Sequence, residues 1–334
     1  LTYRFIYGDG IQSEPGESEK VAIQQISPGV LFGLGTRWTL DYTPTMSIYS
    51  SSKFDDTLGH FVILSGNNTY ENWVLGLSQS YSYSSDPLVE TGTQTEQQIY
   101  ATALTASYHF NDKMWMDLGV NQTFRFADNI DSSTNAVDDN LTDSREWNTL
   151  DWLNYQFAPD LNAGVGAGFG YVDMQPGDNM IYEQLLARAR WHATEKIFLN
   201  VSGGVEFRQF LQGSEDVIIN PLYGAGIEYH PFEHTILAVN ADRRVAVSYF
   251  ENQITETSEV VVSLNQRLLE RLNLSLSYGY NSTDYVASSD STDRSDENSF
   301  FNVRLSCPIR QRLTLAVFYN WNDNTSSESD FAYT

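Results

Sequence analysis

The chain is expected to be all-β: a transmembrane antiparallel up-and-down β-barrel of about 18 strands, with about 16 as the next count. Three observations predict this. Apolar and polar residues alternate with a period of two along most of the sequence, as in Leu272, Leu274, Leu276, Tyr278 and Tyr280 against Asn273, Ser275, Ser277 and Gly279. Strand side chains alternate between faces, so each such segment has one apolar and one polar face. Pairs of these segments are joined by short turns and separated by longer polar stretches, the two-rim asymmetry of an outer-membrane barrel. No run is apolar enough for a membrane helix, and a mean hydropathy of -0.36 fits strands that are only half apolar.

The strand-like pattern begins at once, in Leu1, Thr2, Tyr3, Arg4, Phe5, Ile6 and Tyr7, as if the chain were processed or trimmed. Short turns are expected at Leu34-Gly35-Thr36, Gly66-Asn67-Asn68, Asn111-Asp112-Lys113, Pro159-Asp160, Thr194-Glu195, Pro231-Phe232-Glu233, Glu270-Arg271 and Arg310-Gln311. Several carry the Gly, Asn, Asp and Pro residues that turns require. Acidic residues crowd into 9–19, 128–146 and 284–297, which read as long loops on the opposite rim. These eight hairpins, the opening strand and an unfinished strand from Asp330 onward make up the expected wall. Residues 1–334 are expected to be a single outer-membrane β-barrel domain. Barrels commonly close on an aromatic-ended last strand; Phe331-Ala332-Tyr333-Thr334 reads as the start of one whose end is missing.

Aromatic residues end many apolar faces: Trp73 opposite Tyr81 and Tyr83, Tyr108 and Phe110 before a turn, Tyr319 and Trp321 toward a loop. Such belts suit the boundary between lipid and water. One segment breaks the scheme, because Leu150 and Trp152 share one parity while Leu153, Tyr155 and Phe157 take the other; either a β-bulge or a shifted register accounts for it.

If the apolar parity faces lipid, the opposite parity forms the lumen. It carries Arg4, Arg125, Arg188, Arg190, Arg208, Arg244, Arg267 and Arg304, and the acids Asp41, Asp117, Glu206, Glu228 and Asp242. Arginine on a lipid face costs about 2–4 kcal/mol at mid-membrane, so this placement supports the orientation. Two roles are open: a charged constriction that tunes ion selectivity, or pairs that neutralise one another within the wall. Arg243 falls on the apolar parity and reads as a rim or bulge residue. Gly164, Gly166, Gly168 and Gly170 alternate with Val165, Ala167, Phe169 and Tyr171, which is a strand pattern and not the glycine-rich turn that opens a helix. Their column is expected to be smooth on the lumen side, either a seat for an inward loop, partner or solute, or a place where the strand curves.

The formal net charge of -24 opposes nucleic acid as a partner, since phosphate contacts need a basic surface. Acidic loops could collect divalent cations. The lone Cys307 forms no internal disulfide and reads as an apolar-face residue. Four of the five histidines, His109, His192, His230 and His234, flank short turns, and only His60 is placed near the long-loop rim. No metal site, cofactor or catalytic elbow is expected, and an enzyme is not.

The segments Ser27-Pro28-Gly29-Val30, Thr36-Arg37-Trp38-Thr39-Leu40-Asp41-Tyr42-Thr43-Pro44, and Asn72-Trp73-Val74-Leu75-Gly76-Leu77-Ser78-Gln79-Ser80-Tyr81 resemble the outer-membrane β-barrel porin type 2 family. Ser84-Ser85-Asp86-Pro87 and Ala106-Ser107-Tyr108-His109-Phe110-Asn111-Asp112-Lys113 add to the likeness. It is a likeness of pattern over most of the chain. It implies an envelope barrel of Gram-negative-type bacteria without catalytic residues, surrounded by membrane lipid and lipopolysaccharide. Some members of the family sit with polysaccharide-export machinery. The leading expectation is a porin-like channel for passive diffusion of small polar solutes or ions. The alternatives are a barrel component of an export assembly and a structural surface protein with a blocked lumen. A homo-oligomer or an envelope protein partner fits all three.

Overall fold

A computed structural model describes residues 1–88, 90–129, 141–212, 217–269, 271–287 and 292–333. The alternating sequence folds into eighteen strands: β1 (Thr2–Glu14), β2 (Glu17–Ser27), β3 (Val30–Leu34), β4 (Trp38–Tyr49), β5 (Thr57–Tyr70), β6 (Trp73–Ser84), β7 (Thr95–Asn111), β8 (Met114–Asn129) and β9 (Asp143–Ala158). The second half holds β10 (Leu161–Gln175), β11 (Met180–Thr194), β12 (Ile197–Phe210), β13 (Val217–Tyr229), β14 (Thr235–Val247), β15 (Gln253–Leu268), β16 (Leu272–Ala287), β17 (Thr292–Arg310) and β18 (Leu313–Ser326). A single 3-10 turn, Ser329–Phe331, follows. From β4 onward each strand pairs antiparallel with the next, which is the up-and-down order.

The start is less regular. β2 and β3 both pair with β4, and in one register: Ile26 opposite Met46, then Val30 opposite Tyr42. They are therefore one wall strand interrupted at Pro28, whose missing N–H cannot serve the ladder. Eighteen segments thus occupy seventeen positions around the wall.

Parity fixes the two faces. Val165, Leu185, Val201, Ile219, Val262, Tyr278 and Val317 are all exposed on the outside, as lipid-facing residues must be. Rings cluster near the ends of these faces: Trp73 with Tyr108 at one level (4.7 Å) and Tyr81 with Tyr100 at the other (4.7 Å).

Several sequence expectations are corrected. Gly66 is not a turn residue; it lies inside β5 under the Trp38 ring, and the turn falls at Glu71-Asn72, with Glu71 at a φ of 50°. Residues 9–19 are not a loop, because β1 and β2 continue to a tight turn at Pro15-Gly16 with Gly16 at a φ of 80°. Their acids are held by lysines: Asp9 by Lys20 at 2.8 Å, Glu17 and Glu19 by Lys53 at 2.6 and 3.1 Å. β8 and β9 run well into 128–146, and β16 and β17 into 284–297; the middle of each stretch lies outside the described residues. No bulge is needed in β9. Its register against β10 is continuous from Gln156 to Asp143, which turns Leu150 and Trp152 inward.

Candidate functional site

The lumen has two levels, and β12 shows both. Its inward residues Asn200, Ser202 and Gly204, nearer the short turns, are exposed, whereas Glu206, Arg208 and Phe210 toward the loop rim are buried. Water therefore reaches the short-turn half as a polar vestibule, while protein fills the loop-rim half.

The filling comes from the wall itself. β13 and β14 pair only from Tyr229–Leu237 to Tyr223–Arg243, while β14, β15 and β16 stay in register out to Val247–Ile254 and Ile254–Val286. Val245, Val247, Ile254 and Val286 share the parity that faces lipid lower down. Yet they pack against Val172, Met174, Met180, Tyr182, Phe210 and Ile218, which point inward from β10 to β13. An outward face can meet an inward face only if the strand tips leave the wall and bend into the barrel. The β14–β15 hairpin does so past Arg243, and its tip docks where Asn252 Oδ1 accepts the Asp178 N–H at 2.6 Å. Arg243 is thereby explained: it is a hinge residue, ion-paired with Glu256 and shielded from lipid.

The opposite wall holds the same hairpin by polar contacts. Arg125 on β8 donates to the carbonyls of Val247 and Ser248 at 3.2 and 2.6 Å, and its guanidinium lies 3.9 Å from the Tyr249 ring centroid. The Thr142 N–H donates to the Tyr249 carbonyl at 2.8 Å, and the Tyr249 hydroxyl donates to Gln97 at 2.6 Å. Glu90 accepts from the Ser248 hydroxyl and the Tyr249 N–H at 2.6 and 2.7 Å. Burial pushes the Tyr249 phenol above its ordinary range, with Arg125 opposing, so it remains a donor at neutral pH. A second apolar cluster, Val21, Ile23, Tyr49 and Phe54, fills the rim beside β1 to β4.

The predicted lumen residues divide along the same line. Arg208 and Glu206 do point inward, but as a buried pair (2.8 Å; side chains 3% and 1% exposed) beneath the hairpin region, with Arg208 4.6 Å from the Tyr182 ring centroid. They cannot face a passing ion, which corrects their role as selectivity groups. In the vestibule Arg188 pairs with Asp117 at 2.7 Å, donates to Asn154, and lies 4.2 Å from the Trp152 ring centroid. Arg244 meets Asp242 and Glu259, each at 3.3 Å, and Glu228 meets His230. Arg4, Arg190 and Arg304 are exposed and make no ion pair among the described residues; Arg267 lies on the same inward parity.

The column of Gly164, Gly166, Gly168 and Gly170 is not bare. A Cβ at Gly166 would stand 2.7 Å from the Trp152 ring, and one at Gly170 2.1 Å from the Tyr182 ring. The glycines let rings from the two neighbouring strands lie flat on the wall. No group of His, Cys, Asp and Glu arranged to hold a metal occurs among the described residues.

No family model matches the chain, and no curated protein does. Solved structures do match. The FrpB iron transporter of Neisseria meningitidis, F5-1 variant, superposes with a TM-score of 0.55 at 9% identity, over 95% of this chain and 62% of its own. Its apoprotein form gives 0.54 at 10%, over 95% and 60%. BauA, the ferric preacinetobactin receptor of Acinetobacter baumannii, gives 0.52 at 10%, over 95% and 61%. The likeness is one of fold. The chain has the outer-membrane β-barrel architecture and spans about three fifths of the length of these receptors.

Proposed function

We propose that residues 1–334 form one barrel domain of the bacterial outer membrane that passes small polar solutes or ions by diffusion, through a lumen narrowed by its own β14–β15 hairpin. The carrying observation is the contrast along β12: exposed polar residues below, a protein-filled mouth above. The constriction is closed on the polar side of the hairpin by its bonds to Arg125, Gln97 and Glu90. The resemblance to the β-barrel porin type 2 family supports passive diffusion, and the fold shared with iron and siderophore receptors supports outer-membrane transport more broadly. Because most charged vestibule residues are paired, Arg4, Arg190 and Arg304, together with Asp41, which accepts only from the Thr43 hydroxyl at 3.0 Å among the described contacts, are available to set ion preference.

The hairpin also favours a second reading, a barrel with a blocked lumen that serves as a surface or assembly component with an envelope partner. Planar-bilayer conductance separates the two. The test compares the wild type with a variant in which residues 246–255 are replaced by Asn-Gly. Diffusion past the hairpin predicts small wild-type steps and several-fold larger ones for the variant. A silent wild type beside a conducting variant supports the blocked lumen. Silence of both removes the channel reading, and equal steps remove the hairpin as the constriction.

A further inference from the structure

On β6 to β9 the lipid face carries polar residues between its aromatic belts: Gln79, Thr102, Gln122, Thr149 and Asp151. Their outward direction follows from parity, since they share faces with Leu75, Leu104, Val120, Trp147 and Leu153, which are all exposed. Gln79 lies opposite Thr102, Thr102 opposite Gln122, and Thr149 opposite Val120, so the five form one patch. Toward the loop rim it is bounded by the ring pairs Tyr81–Tyr100 and Phe124–Trp147, at 4.7 and 5.2 Å. Toward the short-turn rim it is bounded by Trp73–Tyr108 and Tyr155–Phe157, at 4.7 and 4.9 Å. The patch therefore faces hydrocarbon, where a polar group without a partner is costly and an ionisable one marks a functional surface.

The patch satisfies itself only in part. The Thr102 hydroxyl donates to Gln79 Oε1 at 2.6 Å, and Gln79 Nε2 uses one of its two N–H groups on a long bond to the Ser80 carbonyl at 3.4 Å. Asp151 accepts from the Gly119 N–H and the Thr149 hydroxyl, each at 3.2 Å, but both bonds end on Oδ1. Among the described contacts, Asp151 Oδ2 and the Gln122 carboxamide have no partner. The patch thus ends in a spare donor on β6 and a spare acceptor on β9. Acyl chains offer neither group, and a lipid phosphate repels a carboxylate. A second copy of the same face offers both.

We infer that the β6–β9 face is the interface of a two-fold dimer within the membrane, in which Gln79 of each copy donates to Asp151 of the other. Two copies inserted in the same sense are related by an axis along the membrane normal. An axis through the middle of the patch, between β7 and β8, sets β6 of one copy against β9 of the second. The remaining Gln79 N–H of each copy then meets Asp151 Oδ2 of the other, and the same bond forms twice. Thr102 and Gln122 meet beside the axis, with the exposed Leu104 and Val120 packing around them. Donors and acceptors balance, so the contact needs no cation from another protein.

The first test cross-links single cysteines in native membranes with a short bis-maleimide, in a Cys307→Ser background. Val120→Cys lies beside the axis and should give a dimer band, whereas Val262→Cys, exposed on the far wall, should stay monomeric. No dimer, equal dimer from both sites, or a product with a different protein would overturn the inference. The second test follows the monomer–dimer equilibrium of chains without introduced cysteines by sedimentation in a mild detergent. Gln79→Leu and Asp151→Leu suit a lipid face, so the folded band in unheated electrophoresis should persist. Each should weaken association by about tenfold or more. Because the two residues form one bond, the double variant should be no weaker than either single one. Unchanged association in the single variants, additive losses in the double variant, or a wild type that sediments as a trimer would refute the two-fold pairing.

Discussion

Replacing Arg125 by Ala removes a cation that grips the infolded hairpin, and the structure sets the size of the effect. Two charge-assisted hydrogen bonds are lost, at 3.2 and 2.6 Å to the carbonyls of Val247 and Ser248. Such bonds contribute about 1.5–3 kcal/mol each at most, and the stacking on Tyr249 at 3.9 Å adds about 1 kcal/mol. Against this, the Arg125 Nε is buried without a partner, and deleting it relieves a cost of about 1–3 kcal/mol. The net loss is about 3 kcal/mol, which corresponds to roughly a hundredfold rise in hairpin opening. The assay is thiol labelling of an Ile254→Cys reporter with Cys307→Ser. Ile254 is completely buried between the hairpin and the wall, so its thiol reacts only when the hairpin lifts. Adding Arg125→Ala should speed labelling by about a hundredfold, and Arg125→Lys by less, because a lysine cannot fork to two carbonyls. Rates within twofold of each other would refute the latch.

Three further outcomes are expected. Gly204→Ala places a Cβ 2.0 Å from the Leu185 carbonyl, a backbone atom that cannot yield, so the folded band should disappear from unheated electrophoresis. Arg188→Ala leaves Asp117 without a counter-charge, held only by donation from Ser107 and Asn154 among the described contacts, and should lower stability by about 1–2 kcal/mol in urea titration of the vesicle-embedded barrel, with Arg188→Lys in between. The raised Tyr249 pKa means the docked hairpin keeps its proton to higher pH than a free phenol does. Docking is therefore fully favoured below about pH 10 and weakens as pH rises through the docked value. Labelling of Ile254→Cys should accelerate above that pH, and Tyr249→Phe should abolish the dependence.

The wall was legible because a barrel strand repeats one rule: alternation at Leu272, Leu274 and Leu276 needs nothing from elsewhere in the chain. What alternation could not reveal was where the rule ends. Val245, Val247 and Ile254 keep the lipid parity of Val239 and Val262, and only the loss of pairing between β13 and β14 turns them inside. Arg243 was the available signal, since an arginine in a lipid-parity run marks the point at which the strand leaves the membrane. Gly66 misled for a related reason. A glycine beneath a ring and a glycine in a turn look alike in sequence, and Trp38 on the neighbouring strand decides between them.

The hairpin is better regarded as a fixed constriction than as a lid. Its apolar side buries Val245, Val247 and Ile254 against six wall residues and the neighbouring Val286 of β16. At about 1.5–3 kcal/mol for each fully buried side chain, and half of that for partial shielding, docking gains on the order of 4–8 kcal/mol. The polar latch adds about 3 kcal/mol more on the far side. An equilibrium so one-sided leaves fewer than about one barrel in ten thousand open at any moment. Losing Arg125 changes how often the hairpin lifts without making the open form common. Arg125→Ala should therefore accelerate thiol labelling while leaving the mean conductance nearly unchanged, whereas excising residues 246–255 should raise it. If Arg125→Ala alone reproduced the large conductance of the excised variant, the apolar packing would be weaker than its burial implies, and the hairpin would be a gate.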